Sequence, residues 1–342
     1  MIDETLLNKF KEKLMQSNRP LFLFDDDPDG LCSFLLLYRM LGRGNGWPVK
    51  TSYVPFGMVD KINNYQADLV VILDKPGLED GVLEGIQTEV IWLDHHQPVN
   101  PKNTLYLNPR NGDDEDNSCT SYWCYRIAKR DLWIAAVGIY SDWQTLSEEM
   151  YSEFKENFGS LLSKNEVETA LFSFEDMSKL CRIFSFNLKG SNSDVLSSIK
   201  ILSRVENPFH ILNGETSQAK LLLKRYEKNN AEYQNLLNSV EVTEDKLLLF
   251  NYTESDNSFT ADLSNELLVK HPEKVILISR QKGDSYKCSL RSAKVPIVDK
   301  LQKALAGTNG EGGGHSYACG AVIPVEQFPT FLENFRKELS LN

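Results

Sequence analysis

The sequence predicts an α/β protein: a parallel-sheet domain, a helical connector, then a smaller mixed α/β domain, with a cleft between the two domains. Three observations predict it. Continuously apolar runs of strand length alternate with helical patterns through about the first 145 residues. The middle of the chain turns polar and helical, and the mixed pattern returns after Glu241. The 342 residues are enough for two separate cores. The boundaries expected on this pattern are residues 1–190, 191–240 and 241–342.

Element by element, "MIDETLLNKFKEKLMQ" carries apolar residues at helical spacing and mixed charge, so it reads as an amphipathic first helix. "PLFLF" (20–24) is a strand running into "DDDPDG" (25–30), and "GLCSFLLLYRML" is a helix. "GRGNGWP" (42–48) is a glycine-rich loop without the Gly-Lys-Ser/Thr of a P-loop, with Trp47 packing there. "TSYVPF" (51–56), "DLVVILD" (68–74) and "TEVIWLD" (88–94) are the next strands. "DDEDN" (113–117) is a solvated loop. "SCTSYWCYRIAK" is a helix whose aromatic residues Tyr122, Trp123 and Tyr125 belong to the core, and "LWIAAVGIYSD" carries the chain to another acidic end. Residues 146–240 form the helical stretch, with "SQAKLLLKRYEKNNAEYQNLLNSV" its clearest amphipathic segment. Beyond it come "KLLLFNY", a helix at "TADLSNELLVKH", "KVILISRQ", a hairpin at "KGD", "YKCSLRS", a helix at "VDKLQKALA" and the loop "GTNGEGGGHSYACGAVIP".

Composition narrows the setting. No apolar stretch reaches the ~18 residues of a membrane span, and the N-terminus lacks the apolar core of a signal peptide. The six cysteines stand singly, with no CxxC pair, so they are expected as reduced, buried thiols in a cytoplasmic protein. The net charge of −11 disfavours coating of long nucleic acid, which draws its affinity from phosphate neutralisation. It is compatible with a short substrate, or with carboxylates screened by bound cations.

"DDDPDG" puts four carboxylates into six positions at the mouth of a buried strand. "VVILD" ends on Asp74, "VIWLD" on Asp94 and "WIAAVGIYSD" on Asp142. Any one of these acids is a helix cap or a solvated turn. Four such ends, one of them a cluster, converge where α/β sheets gather function, and like charges so placed cost stability unless a cation neutralises them. "DHH" (94–96) adds imidazole to the oxygens, a donor set without cysteine that suits Mn²⁺. Several carboxylates in one pocket suit two ions, the arrangement of phosphoryl chemistry. On an extended strand, adjacent histidines face opposite ways and would have different roles.

With "DDDPDG", "VVILDKPG", "VIWLDHHQPV", "GIYSD" and "GGGHSYACGAV" in order, the chain resembles the DHH phosphoesterase superfamily, in the branch with a C-terminal GGGH-bearing, DHH-associated domain. That branch includes RecJ-type exonucleases, oligoribonuclease/pAp phosphatases, cyclic-dinucleotide phosphodiesterases and archaeal DHH nucleases. The resemblance implies Asp25, Asp27, Asp29, Asp74, His95 and Asp142 as ligands of two Mn²⁺ ions, with Mg²⁺ or Co²⁺ as substitutes and Asp74 bridging. It implies His96 at the substrate phosphate and Asp94 orienting the imidazoles. Asp26 has no counterpart and is expected in a solvated turn; His210 and His271 are given no role. The nucleophile implied is a hydroxide activated by both metals. Arg291 and the glycine-rich loop of Gly312, Gly313 and Gly314, followed by His315, are implied as substrate contacts.

The expected activity is manganese-dependent phosphodiesterase or exonuclease hydrolysis of single-stranded RNA or DNA or short oligonucleotides. The alternatives are cleavage of a cyclic dinucleotide or of a pAp-type nucleotide, and, in another class, an inactive DHH scaffold in a replication or repair assembly. No membrane partner is expected, and a homodimer is compatible with the sequence.

Overall fold

The computed structural model describes residues 2–162, 175–253 and 257–340. The chain divides into two compact units, Met1–Tyr226 and Glu227–Asn342, and the division falls inside the long helix Ser217–Asn238. The helical reading of residues 146–240 meets helices Glu148–Phe158, Glu175–Asn187, Asn192–Leu202, Pro208–Leu212 and Ser217–Asn238; its segment 163–174 lies outside the described residues.

Unit 1 contains strands β1 (Pro20–Asp25), β2 (Asn45–Val49), β3 (Tyr53–Val54), β4 (Leu69–Leu73), β5 (Gly77–Leu78), β6 (Val90–Leu93) and β7 (Leu105–Leu107). Five of them form one parallel sheet in the order β2-β1-β4-β6-β7. The strands read as continuously apolar because both faces are covered. Leu21, Leu23, Val70, Ile72 and Trp92 join one core cluster, while Phe22 and Phe24 meet the Phe34 ring on the other side at 5.5 and 4.9 Å.

Helix Pro28–Leu41 covers that second side. Asp27 caps it by accepting from the Gly30 N–H at 2.9 Å, Pro28 opens it, and Gly42 at φ 68 ends it. Gly30 is required: a Cβ there would stand 2.6 Å from the Asp25 carbonyl oxygen.

Two expectations in this unit are corrected. The strand beside β1 is Asn45–Val49, most of it within the segment 42–48 read as a loop, and "TSYVPF" supplies only β3, which pairs with β5 in a separate small sheet. Glycine and proline mask β2 because it is an edge strand, where Pro48 forfeits no interior ladder bond and Gly46 leaves room for the Phe34 ring. The run before Asp142 is helix Leu132–Ser141, buried on all sides, so Asp142 is a helix C-cap.

Unit 2 holds β8 (Leu247–Tyr252), β9 (Val275–Lys282), β10 (Ser285–Ser292), β11 (Glu311–His315) and β12 (Ala318–Pro324), in the order β11-β12-β10-β9-β8. β8 runs parallel to β9 and the other pairs are antiparallel. Leu277, Leu290 and Ile323 pack with Leu301 and Leu305 of helix Val298–Leu305 and with Phe331 and Phe335 of helix Phe328–Ser340. The six cysteines are free and buried, as expected. Among the described residues no helix is long and apolar enough to cross a membrane.

Candidate metal centre

The parallel sheet changes direction at β1. The chain passes from β1 to β2 on one side and returns as β4 on the other, so the topological switch point, where open α/β sheets take their ligands, lies beyond the carboxyl ends of β1 and β4. Asp25 ends β1, Asp27 caps the helix that follows, and Asp74 stands immediately after β4. These three carboxylates each place an oxygen within 4.8 Å of the others. Asp74 forms a second group within the same limit with His95 and His96, which follow β6. Asp74 therefore belongs to both.

The backbone is shaped for that placement. Asp74 has φ 58, a left-handed conformation that strains a non-glycine residue, while its N–H stays bonded to the Leu93 carbonyl at 2.9 Å. His95 Nε2 lies 3.4 Å from Asp74 Oδ1, and its Nδ1 lies 3.1 Å from the Asn117 carbonyl. Asp142 comes within 3.8 Å of His95 Nδ1 and accepts from Gln144 Nε2 at 2.9 Å. Gln144 also donates to the Asn117 carbonyl at 2.7 Å and accepts from the Cys119 N–H, tying three loops together.

Asp94, fully buried, accepts from the His96 N–H at 3.0 Å and meets His96 Nδ1 at 2.7 Å. Asp94 thus braces His96, whereas the Asn117 carbonyl meets the His95 ring. The two imidazoles lie past the end of β6 with centroids 4.6 Å apart, so the expectation that strand geometry sends them to opposite faces does not apply. Asp29, 2% exposed, accepts from the N–H groups of Thr120 and Ser121 at 2.9 Å each. Those amides open helix Thr120–Ala128, whose N-terminus favours negative charge. Asp29 and Asp142 stand outside the two groups of three.

Burial and mutual repulsion set the protonation. Burial, with Asp29 adding to it, pushes the Asp74 carboxyl up to about 8. Burial pushes Asp142 up to about 7 against the opposing pull of His95, and Asp27 rises through burial and the charges of Asp74, Asp25 and Asp29. For His95 burial works downward, but Asp142 and Asp74 outweigh it and hold the imidazole protonated well above its ordinary range. Carboxylates forced to keep protons, beside imidazole nitrogens, are a donor set that divalent cations fit: a cation replaces the protons and relieves the repulsion. Oxygen and nitrogen donors without thiolate suit Mn²⁺ or Mg²⁺.

Some participants have no motif. Thr120 and Ser121 act through backbone amides and Asn117 through its carbonyl, which no side-chain pattern announces. Lys75 did have a signal, since it follows Asp74 inside a motif. Its side chain is fully buried, 2.5 Å from Asp25 Oδ1. Asp26 is half-buried instead of solvated: its Oδ1 has no hydrogen-bond partner among the described residues, and burial pushes the carboxyl up to about 6.

In unit 2 the expected GGGH loop is edge strand β11, paired with β12. A Cβ on Gly312 would meet the Gly320 carbonyl at 2.8 Å, and Gly314, at φ 142, would meet the Ala318 carbonyl at 2.3 Å. At Gly313 the nearest atom is Gln302 Nε2 at 4.0 Å. His315 is exposed. The half-buried Arg291 gives its Nε to Asn265 Oδ1 at 2.7 Å and its Nη1 to the Leu290 carbonyl at 2.9 Å, and burial lowers it to about 10.

Comparison with known proteins agrees with this architecture. Residues 22–152 match the model of the DHH family, N-terminal domain, and residues 247–341 match that of the DHHA1 domain. No curated protein matches the chain. Among solved structures, it is similar to RecJ from Thermus thermophilus in complex with Mn²⁺, with TM-score 0.71 and 18% identity over 99% of this chain and 55% of that one. It is similar to a DHH domain described as a member of the s1p family of ribosomal proteins, with TM-score 0.71 and 16% identity over 98% and 89%. It is also similar to an exonuclease RecJ bound to manganese, with TM-score 0.62 and 19% identity over 98% and 94%. The chain spans about half the length of the Thermus protein.

Proposed function

We propose that this chain, a DHH-family phosphoesterase by the two domains it carries, is a manganese-dependent phosphodiesterase that hydrolyses single-stranded or short oligonucleotides. The observation that carries the reading is Asp74, shared between the Asp25–Asp27–Asp74 group and the Asp74–His95–His96 group. Those residues would hold two divalent cations, with Asp142 beside His95, and such cations supply Lewis acidity to a phosphodiester and acidify water. The RecJ structures with Mn²⁺ support the choice of ion.

The chain's own groups do the rest. Asp94 and Asn108 hold His96 so that its imidazole can hydrogen-bond a phosphoryl oxygen or pass a proton to the departing one. The Asn117 carbonyl and Asp74 fix the His95 ring between them. Asp29 locks helix Thr120–Ala128 against the site, and the switch point beyond the strand ends would give the phosphate its place. A net charge of −11 favours short substrates, because a long strand would meet repulsion outside the cation-bearing site.

The test is Mn²⁺-dependent hydrolysis of labelled RNA and DNA from dinucleotides to long oligomers, with a cyclic dinucleotide and pAp alongside. Cleavage of linear substrates, strongest for the short ones and absent in Asp74→Ala, is the expected result. Turnover of only the cyclic or mononucleotide substrate overturns the substrate assignment, and no turnover with Mn²⁺ bound overturns the enzymatic one.

A further inference from the structure

Lys75 is the largest charged side chain buried beyond solvent reach among the described residues, and it stands next to the shared ligand Asp74. From the end of β4 its ammonium passes Asp25 at the end of β1 and reaches carbonyls at and just past the end of β2. It contacts Asp25 Oδ1 at 2.5 Å, the Thr51 carbonyl at 2.5 Å and the Val49 carbonyl at 3.3 Å. Three acceptors satisfy the three ammonium donors. Its backbone is pinned as well, since Trp92 Nε1 donates to the Lys75 carbonyl at 3.0 Å. Among the described residues its ion-pair partner is Asp25, which belongs to the Asp25–Asp27–Asp74 group but not to the Asp74–His95–His96 group.

We infer that Lys75 is a positioning residue that makes the two cation sites unequal: it occupies one oxygen of Asp25 and opposes the cation held by Asp25, Asp27 and Asp74, which becomes the weaker, exchangeable one. The inference rests on the two-cation reading of the site. Two effects act in the same direction. The carboxylate that would complete the first site is already shared with an ammonium, and an ammonium on one of its ligands would repel a cation held there in a region of low dielectric. The imidazoles of the second site follow β6, on the opposite side of β4 from β1 in the strand order, so that site is less affected.

Titration of the metal-free full-length protein with Mn²⁺, by calorimetry and by electron paramagnetic resonance of the free ion, tests this without reference to activity. Wild type is expected to bind two ions with separated affinities. Lys75→Met is expected to tighten the weaker site by at least ~10-fold and to move the stronger one by less than ~3-fold. Lys75→Gln, which keeps a hydrogen-bond donor but no charge, carries the same expectation if the methionine variant does not fold. Equal affinities in wild type, or a weak site that stays unchanged or weakens further in a folded variant, overturn the role of Lys75 alone. A wild type that binds fewer than two ions overturns the two-cation reading and this inference with it.

Discussion

The two sheets hold their candidate site residues in opposite ways. In unit 1 the carboxyl ends of a parallel sheet carry acids fixed by named partners: buried Asp29 by two amides, buried Asp94 by His96, half-buried Asp25 by Lys75. In unit 2 the GGGH segment is an exposed edge strand, and Arg291 is engaged by Asn265 and by backbone carbonyls of its own unit. Charge concentrated in a buried place needs a compensating ligand, so the first edge declares its chemistry. Glycine on an edge strand serves the ladder equally well with or without a ligand, so the second does not. A glycine's role there depends on which neighbour fills the space its missing Cβ leaves.

The largest expected effect tests whether the acidic edge is one unit. Asp74→Asn should abolish binding of both cations and lower hydrolysis by ~10³-fold or more; loss of only one ion would divide the edge into two independent sites. The same variant has a signature in the metal-free protein. The Asp74 carboxyl is raised from 3.8 to about 8, so between these values the folded chain keeps a proton that the unfolded chain releases. The stability that this proton confers is complete below pH about 4 and is lost as pH rises through about 8. Thermal melts across that window should fall more steeply with pH for wild type than for Asp74→Asn, and parallel curves would count against the shared protonation. Saturating Mn²⁺ should flatten the wild-type curve.

Next come the glycines, compared between edges. Gly30→Ala drives a Cβ into the Asp25 backbone, with a cost of about 1–3 kcal/mol and displacement of the carboxylate cluster. Gly314→Ala, at φ 142 and facing the Ala318 carbonyl, should cost a similar ~1–3 kcal/mol without touching Mn²⁺ affinity. Chemical denaturation with Mn²⁺ titration separates them, and weakened Mn²⁺ binding in Gly314→Ala would break the contrast between the edges.

The smallest effect is the sharpest for unit 2. A Cβ on Gly313 would meet only Gln302 Nε2, at an ordinary contact distance of 4.0 Å, so Gly313→Ala should change stability by less than ~0.5 kcal/mol. If substrate approaches this backbone closely, the variant raises KM for oligonucleotides several-fold with kcat kept. An unchanged KM assigns all three glycines to the strand ladder.

Local pattern determined a good deal of this protein. The alternation of apolar runs and helices specified an α/β chain, continuous apolarity specified a sheet covered on both faces, and acids after strands marked the edge where Asp25, Asp27, Asp74 and the histidines meet. These features are written in side chains within a few residues of one another, and side-chain periodicity is what burial selects. Tertiary structure decided the rest. It put Asn45–Val49 beside β1, because an edge position tolerates glycine and proline. It made the run before Asp142 a helix, because an apolar stretch buried on every side has no face to show in its period. It assigned Asn117 to His95 and Asp94 to His96, gave Asp29 the amides of a helix start 91 residues away, and carried Lys75 across β1 to Asp25. Those partners are backbone atoms or residues distant in the chain. Their identity leaves no mark in local spacing, because only the folded sheet brings them within bonding distance.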